Sequence, residues 1–113
     1  MKSFYKSLII SMFSMGLLAG MSSAWATETV QLVIKDHQFQ PAEITIPAKT
    51  KVKLVVQNQD SSPEEFESKA LHREKMIPAG AERTINIGPL EPGSYDFYGE
   101  FNPKTAKGRI VVK

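Results

Sequence analysis

The sequence contains no cysteine. That excludes a disulfide framework, a thiolate metal centre, a cysteine nucleophile and a lipid-modified cysteine. Histidine occurs only at His37 and His72, and no zinc-ligand spacing is present. A nucleophile elbow and a phosphate-binding glycine loop are missing as well, so an ordinary hydrolase has no support. Charge of one sign is scarce: 14 Lys and Arg face 12 Asp and Glu, and Lys2 and Lys6 carry the whole excess. A balanced chain lacks the basic surplus that nucleic-acid binding needs, and it lacks a polybasic membrane patch. What is there is ordinary globular material, 42% hydrophobic with 7 Gly and 7 Pro.

Residues 1–26 read as a secretory leader. Lys2 and Lys6 open it, an apolar run follows from Leu8 to about Met21, and Ala24-Trp25-Ala26 gives a small-x-small cleavage pattern. The run falls short of the roughly 20 residues that span a bilayer, so cleavage after Ala26 is expected, with no membrane insertion afterwards. Cleavage would remove Trp25 and leave Met76 as the last methionine. Residues 27–113 are room for one small domain.

Short β-rich runs separated by turn residues fill that domain. They are Thr29–Ile34, Glu43–Ile46, Lys51–Val56, Glu65–Ser68, Arg83–Ile87, Ser94–Tyr98 and Arg109–Val112. In Lys51–Val56 charge alternates with apolar residues, which places Val52, Leu54 and Val56 on the core face, and Ile85 and Ile87 likewise share a face. Regular short strands predict an all-β sandwich or small barrel. A helix fits only near Ser68–Lys75. Met76 is expected to fill core space.

Two segments carry chemistry. In Glu64-Glu65-Phe66-Glu67 three carboxylates fall within four positions. On a strand Glu65 and Glu67 share one face and Glu64 points to the other. Neighbouring carboxylates repel unless a cation or proton lies between them, which points to a hard-cation site; the plainer reading is a solvated acidic edge that deters sheet pairing. The second segment, Tyr95–Gly108, runs an aromatic strand into a loop holding Glu100 and Asn102, which is either a site loop or a simple turn. His37 and His72 read as surface residues. Asp60-Ser61-Ser62 hints at a calcium loop, but Glu65 stands where that loop needs glycine.

The ordered set of motifs resembles the cupredoxins. It comprises Phe39-x-Pro41-x-x-Ile44-x-Ile46-Pro47, Val52-x-Leu54-Val55-Val56-x-Asn58, Pro63-Glu64-Glu65-Phe66, Ile77-Pro78-Ala79-Gly80, Leu90-x-Pro92-Gly93-x-Tyr95-x-Phe97-Tyr98 and Gly108. The resemblance implies a Greek-key β-sandwich of about seven to eight strands. It also implies that the blue-copper ligand positions read Glu64, Gly99, Asn102 and Lys107, so no blue-copper centre forms. Glu65-Phe66-Glu67, Glu74-Lys75 before Ile77-Pro78, and Gly99-Glu100-Phe101 are similar to a cupredoxin subgroup found beside bacterial iron permeases, although Asn102 stands where a histidine is common there. That likeness implies a periplasmic protein that binds iron and/or copper and assists Fe(II) oxidation or delivery to an iron permease or another iron-uptake subunit. Glu65, Glu67 and Glu100 are then the core ligand candidates, with Glu64 and His72 beside them. A ferroxidase role requires a redox metal or a partner that accepts the electron. The rival reading is a metal-free interaction module on the same fold.

Overall fold

Lys51–Asn58 shows how the pattern becomes structure: Val52, Leu54, Val56 and Asn58 turn inward while Lys51, Lys53 and Gln57 stay in water. The computed structural model describes residues 27–113; the expected leader lies outside them. Nine strands form: β1 Thr27–Lys35, β2 Gln38–Gln40, β3 Glu43–Ile46, β4 Lys51–Asn58, β5 Glu64–Ser68, β6 Arg73–Ile77, β7 Glu82–Ile87, β8 Gly93–Gly99 and β9 Lys107–Val112. They build a four-stranded sheet in the order β2-β1-β4-β7 and a five-stranded sheet in the order β3-β9-β8-β5-β6. The expected all-β sandwich is thus formed. Two pairs, β1 with β4 and β3 with β9, are parallel; the other pairs run antiparallel.

The core lies between the sheets. Leu32, Ile34, Val52, Leu54, Val56, Ile85 and Ile87 face Ile44, Ile46, Phe66, Ile77, Phe97, Ile110 and Val112. Phe39, Phe66 and Phe97 form its aromatic heart: Phe66 stacks on Phe97 at 5.1 Å, and Phe39 meets Phe97 edge-on at 5.0 Å. Phe39 belongs to the short strand β2, where it lies opposite Ile34 of β1.

The segment where a helix fitted is a hairpin instead. Ser68 pairs with Arg73, and residues 69–72 make the turn. Ser68 Oγ donates to the Asp96 carbonyl at 2.7 Å and accepts the Leu71 N–H at 3.1 Å, and Leu71 is buried beneath the turn. A hydroxyl that caps its own turn competes directly with helix formation. His72 adopts a left-handed conformation with φ 56°. Met76 is a second correction: on β6, an edge strand, it is 44% exposed and fills no core space.

Buried Asn58 organises the loop that leads into β5. Its Nδ2 donates to the Ser62 and Ile77 carbonyls, and its Oδ1 accepts the Asp60 N–H. The Asp60 carboxylate is spent on the β1–β2 turn, accepting the N–H groups of Asp36 and His37 at 2.8 and 2.9 Å. The calcium hint at Asp60-Ser61-Ser62 therefore has an ordinary structural outcome.

Candidate metal centre

Strand alternation divides the three carboxylates of β5. Glu64 points inward with Phe66 and Ser68, while Glu65 and Glu67 point out from the five-stranded sheet. The antiparallel register then decides their neighbours. Glu67 lies opposite Glu74 on β6 and opposite Tyr98 on β8, and Glu65 lies opposite Met76. Carboxylate oxygens of Glu65, Glu67 and Glu74 all lie within 4.8 Å of one another. Glu100 borders the group: its N–H donates to the Glu65 carbonyl at 2.9 Å.

The electrostatics follow from that crowding. Glu65 is held above its usual value of 4.5, first by loss of water and then by the charges of Glu74, Glu100 and Glu64. Glu67 is raised too, by loss of water, by the charge of Glu74 and by a hydrogen bond shared with it. Tyr98 is pushed above 10.0 by loss of water and by the charges of Glu100 and Glu67. Glu67 Oε2 is buried and has no hydrogen-bond partner. A carboxylate oxygen withdrawn from water with no donor to accept from is costly to leave bare. A proton or a cation relieves that cost. The donors on offer are hard oxygens, with the Met76 thioether on the neighbouring strand.

Of the five candidate ligands, Glu65, Glu67 and Glu100 come to one surface, whereas Glu64 and His72 do not join them. His72 is exposed on the β5–β6 turn. Glu64 is 1% exposed, and both of its carboxylate oxygens are already engaged. Its Oε1 accepts the N–H groups of Glu65 and Phe101 at 2.9 and 2.8 Å, and its Oε2 accepts Asn102 Nδ2 at 2.8 Å. Gly99 makes room for it: a Cβ there would stand 2.6 Å from the Glu64 carboxylate carbon. Glu64 therefore pins the β8–β9 loop to β5 and so fixes where Glu100 sits. Turn bonds inside the loop, Asn102 N–H and Ala106 N–H to the Gly99 and Asn102 carbonyls, complete the brace.

Glu74 escaped the sequence reading as a member of this group. Treating residues 68–77 as a hairpin with a four-residue turn would have placed Glu74 opposite Glu67. The helix option for that segment hid the register.

Comparisons with known proteins agree with the architecture. A family model described as a cupredoxin-like domain matches residues 8–112. A protein of Rickettsia prowazekii (strain Madrid E), described as uncharacterized, is 43% identical over 83 residues, covering 74% of this chain and 66% of the relative's own length. The chain thus spans just under two thirds of that relative. Similar solved structures include the metal binding domain of the Cu(I)-exporting P-type ATPase CopA of Streptococcus pneumoniae D39 (TM-score 0.69, 18% identity, 77% of this chain and 86% of that one). Auracyanin A, a blue copper protein from Chloroflexus aurantiacus, is similar with a TM-score of 0.68 at 11% identity, over 78% of this chain and 100% of that one. Amicyanin from Paracoccus versutus follows with 0.59 at 22% identity, over 75% and 81%. At these identities the structural likeness establishes the fold.

Proposed function

This chain belongs to the cupredoxin-like domain family, and from that premise we propose that it is a periplasmic metal-binding accessory protein of ferrous-iron uptake. The family fold brings copper to mind, so the fit of the residues matters first. A blue-copper centre needs a thiolate and imidazoles. The chain has no cysteine, and at the corresponding pole Glu64 and Asn102 bond to each other beside Gly99. Those residues do not fit a blue-copper ion, and nothing in this reading passes through one.

The outer face of β5, β6 and β8 fits a hard cation. The observation that carries the reading is the approach of Glu65, Glu67 and Glu74 carboxylate oxygens to within 4.8 Å of one another, together with a buried Glu67 Oε2 that has no hydrogen-bond partner. Carboxylate donors suit Fe(II), Fe(III), Mn(II) or Cu(II) and do not suit Cu(I). These residues hold an ion, and Glu100 on its braced loop closes one side. Oxidation of Fe(II) needs an electron acceptor, so this chain's part is to bind and hand over the ion, with the acceptor supplied by a partner. An iron permease or another subunit of the uptake system is the partner this role requires.

A metal-free docking module is the rival reading, favoured by Phe101 at 48% and Met76 at 44% exposure beside the same surface. Thermal melts of the purified protein separate the two. An ion at a hundred times its dissociation constant adds about 2.7 kcal/mol, which raises the melting temperature by roughly 10–20 °C in a domain of this size. Melts unmoved by Fe(II), Mn(II) and Cu(II) would leave the docking module as the better account.

A further inference from the structure

On the far side of the sandwich a different chemistry collects. A concavity of about 380 Å3 opens on the outer face of the four-stranded sheet, lined by Thr27, Lys51, Lys53, Arg73, Asn86 and Gly88 among others, and no carboxylate lines it. We infer that this concavity is a binding site for a small phosphate-bearing anion. The inference is independent of the metal reading: the two sites share strand β6 alone, where Arg73 and Glu74 alternate to opposite faces.

Register builds the site. Lys51 and Lys53 alternate with buried Val52, so both project outward from β4. Thr27 on β1 lies opposite Lys51, and Asn86 on β7 lies opposite Lys53. Arg73 enters from the start of β6 and is fixed by backbone acceptors. Its Nε donates to the Asn86 carbonyl at 3.0 Å, and its Nη1 donates to the His72 and Leu71 carbonyls at 3.0 and 3.4 Å. Those bonds orient the guanidinium without neutralising it and leave Nη2 to donate elsewhere. The ion pairs among the described residues are His37–Asp60 and Arg109–Glu43, so Lys51, Lys53 and Arg73 have no carboxylate partner there.

Three uncompensated cations around one hollow repel each other, and an anion relieves that repulsion. A pre-oriented guanidinium with two ammonium groups matches a phosphate, which accepts several charge-assisted hydrogen bonds at once. Small-molecule sites run from roughly 300 to 1,000 Å3, so the hollow has room for a phosphate with an organic group attached. Cleavage after Ala26, the expectation set by the leader, would add the Thr27 ammonium to the same wall.

The phosphate could be free or carried by a lipid headgroup, and one experiment covers both. Amide and arginine side-chain resonances of the purified, isotope-labelled protein are followed while inorganic phosphate is added, against sodium chloride at matched ionic strength. In parallel, sedimentation with phosphatidylglycerol and phosphatidylcholine vesicles is measured. Saturable shifts of Lys53, Asn86 and the Arg73 Nε–H with phosphate support the site. Lys51→Gln/Lys53→Gln should weaken phosphate at least about tenfold with no fall in melting temperature, since both side chains are exposed and their mutual repulsion is relieved. Sedimentation with phosphatidylglycerol alone, competed by phosphate, identifies a headgroup as the source; shifts without sedimentation identify a soluble ligand. Equal shifts with chloride, or unweakened phosphate binding in the double variant, would overturn the proposal.

Discussion

Replacing Glu64 by alanine removes the acceptor of three hydrogen bonds at once. The donors left behind are the Glu65 and Phe101 N–H groups and Asn102 Nδ2. An unsatisfied buried donor costs about 1–3 kcal/mol. Phe101 and Asn102 lie in the β8–β9 loop and can turn toward water, so the lower end applies, and the sum is about 3 kcal/mol. At roughly 4–8 °C per kcal/mol for a domain of this length, the melting temperature should fall on the order of 12–24 °C. Glu64→Gln behaves differently. Its Oε1 keeps both backbone donors, and its Nε2 faces Asn102, whose amide rotates to present Oδ1; the expected loss is about 1 kcal/mol. Urea unfolding of wild type, both variants, Asn102→Ala and the Glu64→Ala/Asn102→Ala pair gives the coupling directly. The double variant should lose less than the two single losses added together, because one bond is counted in both. A Glu64→Ala protein within about 0.5 kcal/mol of wild type would refute the claim that this carboxylate braces the loop.

Gly99→Ala should be destabilising by about 1–3 kcal/mol, because its Cβ would meet the Glu64 carboxylate at 2.6 Å and the Ala106 Cβ at 2.8 Å. In chemical unfolding, Glu64→Ala in the same chain should recover part of that loss, and strict additivity would contradict the contact. Glu65 and Glu67 titrate above 4.5 in the folded protein, so the fold binds their protons more tightly than the unfolded chain does. Their stabilising contribution is complete below 4.5 and is lost as pH rises through the raised values. Melting temperatures of the metal-free protein should therefore rise on acidification toward 4.5 relative to Glu65→Gln/Glu67→Gln; parallel pH profiles would remove the crowding argument.

Much of the fold was legible because its signal is local. Alternation in Lys51–Asn58 and Glu82–Ile87 assigns inward and outward residues from sequence, and the same period splits Glu64 from Glu65 and Glu67. The carboxylate cluster was legible only in part. Glu65 and Glu67 stand in a segment dense with acids and Glu100 in the loop after the aromatic strand, but Glu74 joins them through strand pairing, which depends on the turn at residues 69–72. That turn is decided by Ser68 Oγ and the burial of Leu71, and neither is visible as a composition signal. Glu64 illustrates the opposite error. Its neighbours suggested a ligand, yet its destination depends on donors from a loop 37 and 38 residues away. Met76 misled for a similar reason, since strand pairing gives the core face of β6 to Ile77 and leaves Met76 on the outer face beside Glu65.

Calorimetric titration with Fe(II) under anaerobic conditions and with Cu(II) tests the central claim most directly, comparing wild type with Glu67→Gln, Glu74→Gln and Glu100→Gln. The account predicts a single saturable site in wild type, weakened by about tenfold or more when Glu67 or Glu74 loses its charge, with a smaller loss at Glu100. Identical affinity in all four proteins, or no saturable heat in wild type, would contradict it.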